Sequence, residues 1–124
     1  MPHLLLVIED NPANLELMTY LLHAFGHTPV SARDGLEGVE KALEIRPDLI
    51  LCDLRLPKLD GYGVARRLKA EPSFATIPLI AVTASAMVGD RDKVIAAGFD
   101  GYIRKPIDPE TFVAEVEAFL RRDT

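Results

Sequence analysis

Residues 4–10 read LLLVIED, an apolar run of five side chains followed directly by two acids. Four more short apolar runs follow along the chain, each separated from the next by a longer segment with helical spacing. These runs are Thr28 to Ala32, Leu49 to Cys52, Leu79 to Val82 and Gly101 to Ile103. Five strands that alternate with helices are typical of an α/β fold.

The intervening segments place apolar residues three or four positions apart, which predicts one buried face for each helix. In chain order these faces are Leu15, Met18, Leu22 and Phe25; Leu36, Val39 and Leu43; Val64 and Leu68; Val94 and Ala97; and Phe112, Val116 and Phe119. The pairs Asn11-Pro12 and Asp108-Pro109 predict the starts of the first and fifth helices, since proline is tolerated in a first turn. Gly26 and Gly98 predict helix ends.

The short connections imply a parallel sheet, because each helix must return the chain to the same edge through a right-handed crossover. The carboxyl ends of all the strands then lie along one edge. Open α/β sheets place their binding sites at that edge. We therefore expect the functional residues in the loops after strands one, three, four and five.

Composition limits the function further. The chain has 124 residues, 48% of them hydrophobic, with 19 acidic and 14 basic side chains, so we predict one domain over residues 1–124. The net charge of -5 argues against nucleic acid as a partner. No apolar run approaches the roughly 20 residues that a membrane span requires. The single cysteine, Cys52, is expected to be a small buried residue, and the setting is expected to be cytoplasmic.

Polar side chains stand where four of the apolar runs stop. They are Glu9 and Asp10 after the first run, Asp53 after the third, Thr83 after the fourth and Lys105 after the fifth. Three carboxylates in one cleft need a positive partner, because like charges raise one another's pKa. Magnesium suits an all-oxygen ligand set, and a lysine and a hydroxyl can contact anionic oxygens. The set predicts a phosphoryl site with a carboxylate nucleophile.

In this order and spacing the residues resemble the receiver domain of bacterial two-component response regulators, over the whole chain. The motifs that carry the resemblance are Glu9-Asp10-Asn11, Asp53-Leu54-Arg55-Leu56-Pro57 leading to Asp60-Gly61, Thr83-Ala84-Ser85-Ala86-Met87 and Lys105-Pro106. The resemblance implies a doubly wound (βα)5 flavodoxin-like fold: a three-layer sandwich around a parallel five-stranded sheet in the order 2-1-3-4-5.

The resemblance also implies a role for each site residue. Asp53 would accept a phosphoryl group from a phosphohistidine of a histidine kinase or phosphotransfer protein. Mg²⁺, for which Mn²⁺ can substitute, would be bound by Asp10, Asp53 and the backbone carbonyl of Arg55, with Glu9 acting through a water. Lys105 and Thr83 would contact the phosphoryl oxygens, next to Ala84. The bond before Pro106 would be cis.

A switch and an output surface follow from the same resemblance. On phosphorylation Thr83 would move toward the phosphoryl group and the ring of Tyr102 would turn inward, whereas simple packing at an edge strand is the alternative for this tyrosine. The output surface would comprise helix four, strand five and helix five. It would include Met87, Val88, Arg91, Tyr102 and Arg104. We expect no effector domain in this chain, a monomer, and signalling through a downstream protein target.

Four alternatives are open from the sequence. A phosphatase of the haloacid dehalogenase type would need an acid two residues after its nucleophile, where this chain has Arg55. A flavodoxin-like cofactor binder would need a first loop that attracts phosphate, and Glu9-Asp10-Asn11 would repel it. The others are a receiver portion of a hybrid histidine kinase and a partner-binding module that works without phosphorylation.

The three histidines of the chain are predicted to be separate surface residues: His3, His23 and His27.

Overall fold

A computed structural model describes residues 3–84 and 88–121 of the chain, with the side chains of residues 88 and 89 outside the description. The strands are β1 (Leu4–Ile8), β2 (Thr28–Ala32), β3 (Leu49–Asp53), β4 (Leu79–Thr83) and β5 (Gly101–Arg104). The helices are α1 (Pro12–Ala24), α2 (Gly35–Ile45), α3 (Gly61–Lys69), α4 (Val88–Ala96) and α5 (Phe112–Arg121), and a short 3-10 helix covers Pro72–Phe74. The strands and helices alternate as predicted.

All strand pairs are parallel, and the strand order is β2-β1-β3-β4-β5. The predicted fold class is therefore confirmed. Every residue of β3 and β4 is buried, as strands covered by helices on both faces must be. In the register of the sheet, Ile8 pairs with Cys52 and Asp53 pairs with Val82, which brings the carboxyl ends of the three central strands to one edge.

Two hydrophobic cores lie on the two faces of the sheet. On one face, Leu5 and Val7 of β1 pack with residues of α1 and α5 such as Met18 and Phe112. On the other face, residues of β1 and β3 pack with residues of α2, α3 and α4 such as Val64. Among the described residues, no helix combines the length and the apolar character that crossing a membrane requires.

The predicted apolar face of α2 is wrong in part. Leu36 and Leu43 are each 42% exposed, and the buried residues of the helix are Gly35, Gly38 and Ala42. A Cβ atom added at Gly38 would lie 2.5 Å from Cδ1 of Ile8. The helix therefore lies so close to the sheet that only its smallest side chains fit between them, and the leucines are turned outward.

Three of the four predicted helix boundaries agree with the structure, and the start of α5 differs. Asn11 caps α1 through its side chain, which accepts a hydrogen bond from the Asn14 N–H at 3.0 Å. Gly26 and Gly98 follow α1 and α4 with φ angles of 89° and 112°, a conformation that favours glycine. Asp108 does not start α5: its backbone carbonyl accepts from Thr111 and Phe112 in a separate turn, and the helix begins at Phe112.

Two further side chains lie elsewhere than the sequence predicts. Phe25 is 62% exposed, because it caps the carboxyl end of α1 instead of continuing its buried face. His27 is buried, not on the surface, and its ring bonds to Glu117 of α5.

Cys52 is fully buried as predicted, and burial raises the pKa of its thiol above the ordinary value.

Candidate functional site

The predicted polar residues meet at the carboxyl edge of the sheet. Glu9 and Asp10 follow β1, Asp53 is the last residue of β3, Thr83 is the last residue of β4, and Lys105 follows β5. This convergence is a consequence of parallel strands with short connections, since each loop begins where its strand ends.

The three acids form a compact carboxylate cluster. Glu9, Asp10 and Asp53 each offer one oxygen, and the three oxygens lie within 4.8 Å of one another. Glu9 is fully buried and Asp53 is 8% exposed, whereas Asp10 is exposed to solvent. A set of carboxylate oxygens with one open side fits the preference of Mg²⁺, which keeps some of its waters when it binds to proteins.

Lys105 supplies the positive charge that the cluster requires. Its Nζ lies 2.8 Å from Oε1 of Glu9 and 3.1 Å from Oδ2 of Asp53. Burial by itself lowers the pKa of Lys105, but the bonds to Glu9 and Asp53 outweigh it and the pKa is raised above the ordinary value. The ammonium group is therefore charged at neutral pH and bridges strand ends β1, β3 and β5.

Glu9 is held in its position at an electrostatic cost. Burial raises the pKa of its carboxyl above the ordinary value, and the hydrogen bond from Lys105 only partly opposes this. Oε2 of Glu9 also accepts a hydrogen bond from the Asn11 N–H at 3.1 Å, and the Glu9 N–H donates to the Ala32 carbonyl at 2.9 Å. The carboxylate thus has a defined orientation beside Asp53.

The loop after β3 orients Asp53. The Arg55 N–H donates to Oδ1 of Asp53 at 3.3 Å, while Oδ2 contacts Lys105. Asp60 accepts from the Gly63 N–H at 2.8 Å and caps α3. A Cβ atom at Gly61 would lie 2.5 Å from the carbonyl oxygen of Asp53, so the loop folds back onto Asp53 too closely for any other residue. The structural role of Gly61 was not predicted from the sequence.

Thr83, the last residue of β4, lies at the site next to Lys105. Thr83 is 5% exposed, and its backbone carbonyl accepts from the Lys105 N–H at 2.9 Å, which joins the ends of β4 and β5. Ala84 follows at the surface. The Lys105-Pro106 peptide bond is cis, as predicted. Ser85, Ala86 and Met87 lie outside the described residues.

Tyr102 lies in the edge strand β5 and is half-buried. Its ring packs against the core that contains α3 and α4, and the guanidinium carbon of Arg91 lies 5.5 Å from the ring centre. Arg91 of α4 and Arg104 of β5 are both exposed. Of the predicted output surface, Met87 and the side chain of Val88 lie outside the described residues.

A cavity of about 300 Å³ lies beside the loop that follows Asp53. It is lined by Leu54, Arg55, Leu56, Asp60, Tyr62, Thr83 and Asp90. Burial, followed by the nearby charges of Asp90 and Asp60, raises the pKa of the Tyr62 hydroxyl. Tyr62 and Asp90 were not among the residues predicted for the site, and no motif marks them, because they meet only after α3 and α4 have packed together.

The fold is that of a signalling receiver, and the chain belongs to the response regulator receiver domain family, which it matches over residues 5–117. Membership in this family supports the receiver interpretation over the haloacid dehalogenase and flavodoxin alternatives. The family and its relatives give the chain a phosphorylation-dependent signalling role.

Individual relatives agree with this assignment. The chain is 40% identical to the polar-differentiation response regulator DivK of Brucella anthropi, over 97% of this chain and 98% of the relative. It is 36% identical to the receiver domain of a sensor histidine kinase from Pseudomonas aeruginosa, solved with a magnesium ion in its active site cleft, with a TM-score of 0.85 over 98% and 97% of the two chains. The Vibrio cholerae chemotaxis regulator CheY4, 22% identical with a TM-score of 0.91 over 96% and 99% of the two chains, shares the fold.

Proposed function

We propose that Asp53 accepts a phosphoryl group from a phosphohistidine of a histidine kinase or histidine phosphotransfer protein. A carboxylate oxygen of Asp53 attacks phosphorus, the P–N bond breaks, and its electron pair leaves with the imidazole, which takes a proton from solvent. The product is an aspartyl phosphate. The observation that carries the proposal is the convergence of Asp53 with two other acids and Lys105 at one strand edge.

The carboxylate cluster would hold Mg²⁺, with Mn²⁺ as a substitute. Asp10, Asp53 and the backbone carbonyl of Arg55 would bind the ion, and Glu9 would act through a water. When bound, the ion neutralises charge on the transferring oxygens. A relative that was solved with magnesium in its cleft supports this assignment, as does the burial of Glu9 among other acids.

The remaining residues of the site would stabilise the phosphoryl group once it arrives. Lys105 already contacts Asp53 and can move its hydrogen bonds from the carboxylates to phosphoryl oxygens at little cost in solvation. The hydroxyl of Thr83 would donate to another oxygen, and Ala84 would line the pocket beside it.

Output would follow from a switch that includes Thr83, Tyr102 and Pro106. If Thr83 moves toward the phosphoryl group, space opens beneath Tyr102, whose ring borders the α4 side of the core. Because Arg91 lies against that ring, its guanidinium would move as well. The surface formed by α4, β5 and α5 would then bind a downstream protein.

We propose a cytoplasmic, monomeric regulator; a receiver portion of a hybrid kinase is the alternative that the histidine kinase relative favours.

The decisive experiment treats the full chain with acetyl phosphate, with and without Mg²⁺, and measures intact mass. We expect a metal-dependent gain of one phosphoryl group that Asp53→Asn abolishes. Asp92→Asn is the matched control, since Asp92 is an exposed acid on α4. Failure of the wild type to gain mass under any condition would support the partner-binding module instead, and steady release of phosphate from unrelated substrates would support a phosphatase.

A further inference from the structure

A second cluster of titratable side chains lies at the amino edge of the sheet, opposite the carboxylate site. His3 directly precedes β1, His27 directly precedes β2, and Glu117 belongs to α5. The sequence predicts that the three histidines of the chain are separate surface residues. The structure instead brings two of them together, with ring centres 5.6 Å apart and ring planes inclined by 41°.

The bond between His27 and Glu117 defines how the His27 ring is protonated. Nε2 of His27 lies 2.8 Å from Oε2 of Glu117, and the side chain of His27 is only 5% exposed. An ionised carboxylate can only accept a hydrogen bond, so Nε2 carries the hydrogen. In the neutral ring the lone pair is then on Nδ1.

Both Nδ1 atoms lack the partner that a buried nitrogen needs. Nδ1 of His27 and Nδ1 of His3 are shielded from solvent and make no hydrogen bond within residues 3–84 and 88–121. Buried polar atoms without partners are uncommon, because each one loses its hydrogen bonds to water without replacement. The two rings border a cavity of about 330 Å³, which is also lined by Glu117, Leu120 and Arg121.

We propose that His3 and His27 bind a divalent transition-metal ion such as Zn²⁺ through their Nδ1 atoms. Two imidazoles that share a zinc ion have ring centres roughly 5 to 6 Å apart, because each Zn–N bond is about 2.0 Å long. Imidazole suits Zn²⁺, Cu²⁺ and Ni²⁺ and does not suit Mg²⁺, which separates this site from the carboxylate cluster.

Glu117 acts as a positioning residue in this site. A metal-binding histidine commonly donates its other N–H to a carboxylate, which sets the ring orientation and makes the ligand more basic. The His27–Glu117 bond has that arrangement. Solvent completes the coordination of the ion, and the charge of Arg121 in the lining opposes binding, so a site of moderate affinity is expected. A bound ion would connect α5 to the amino ends of β1 and β2.

The test measures Zn²⁺ binding by calorimetry in excess Mg²⁺, on the full chain carrying Asp10→Asn and Asp53→Asn. These two substitutions remove the carboxylates that could also bind zinc. We expect one Zn²⁺ per chain, with affinity at least tenfold weaker when His3→Gln or His27→Gln is added. Glu117→Gln should weaken binding about tenfold. His23→Gln is the matched control, because His23 is exposed on α1 and should leave the affinity unchanged.

Nitrogen NMR of the histidine rings supplies a second measurement that does not depend on variants. Zn²⁺ should shift the Nδ1 resonances of His3 and His27, while Nε2 of His27 stays protonated and His23 is unaffected. His3→Gln keeps the test valid if His27→Gln fails to fold, since His3 is only partly buried. Absence of zinc binding, or binding that neither histidine substitution weakens, would overturn the proposal; the unpartnered nitrogens would then be explained by an ordered water.

Discussion

Nζ of Lys105 lies 2.8 Å from Oε1 of Glu9, a carboxylate that is fully buried. The same ammonium contacts Asp53 at 3.1 Å. One lysine therefore compensates two acids, in the position where a metal ion would also be attracted. This shared use of the carboxylates leads to opposite expectations for metal binding and for phosphorylation.

Replacing Lys105 by Met should raise the affinity for Mg²⁺ severalfold, because the ammonium and the metal compete for the same carboxylates. The same substitution should slow phosphorylation by acetyl phosphate at least tenfold, because the proposed contacts of Lys105 with the transferring oxygens are lost. Metal titration by NMR and intact mass measure the two effects. Lys58→Met, at an exposed lysine, is the control, and a parallel loss of both properties would contradict the competition.

Replacing Glu9 by Gln should stabilise the metal-free protein at pH 7, since burial disfavours the ionised carboxyl of Glu9 and raises its pKa. A carboxyl whose pKa is higher in the folded state binds its proton more tightly there, so this cost disappears as the pH falls through the raised pKa. The two proteins should then converge in stability at acidic pH. Denaturant unfolding in EDTA across pH 4 to 8 measures this, and a destabilised variant at pH 7 would refute it.

Lys105 should make the reverse contribution at alkaline pH. Its pKa is raised in the folded state, so the stability it provides is complete below the ordinary lysine pKa and is lost as the pH rises through the raised value. The wild type should therefore lose more stability than Lys105→Met above pH 10. Unfolding curves of both proteins from pH 8 to 11.5 give the comparison, and equal slopes would count against the ion pairs.

Substituting Gly61 by Ala should destabilise the protein by about 2 to 4 kcal/mol and slow phosphorylation, because the new Cβ would meet the backbone of Asp53 and Leu54. Gly26→Ala is a matched control with open space around it but a φ of 89°, so it should cost only about 1 kcal/mol and leave phosphorylation unchanged. Thermal unfolding and the mass assay distinguish the two. Similar phosphorylation rates in both variants would argue against a role of Gly61 in positioning Asp53.

Binding of beryllofluoride, a mimic of the phosphoryl group, should shift the ring resonances of Tyr102 and leave those of Tyr20 in place. Tyr102 borders the core next to the site, whereas Tyr20 is 69% exposed on α1. Thr83→Ala should abolish the Tyr102 shift without preventing binding, because the hydroxyl is the proposed link between the two. A Tyr102 shift that persists in Thr83→Ala would mean that the ring responds by another route.

Much of the site could be predicted because its residues are defined by strand ends. Parallel strands with short connections must bring Asp10, Asp53, Thr83 and Lys105 to one edge, whatever the details of packing. The α/β fold followed from the same alternation, since a strand covered on both faces needs apolar residues at every position.

The details that were wrong or missed depend on contacts between distant segments. Packing against Ile8 decides that Gly38 and not Leu36 faces the sheet, and a local pattern cannot report how closely a helix approaches. His27 is buried, and α5 brings Glu117 to its ring across 90 residues of sequence. The sequence thus determines which chemical groups meet at the carboxyl edge, because the topology of a parallel sheet brings the strand ends together. The tertiary packing decides how deeply these groups are buried, which charges they contact, and that two histidines meet at the amino edge. These features depend on side chains that only the folded chain brings together.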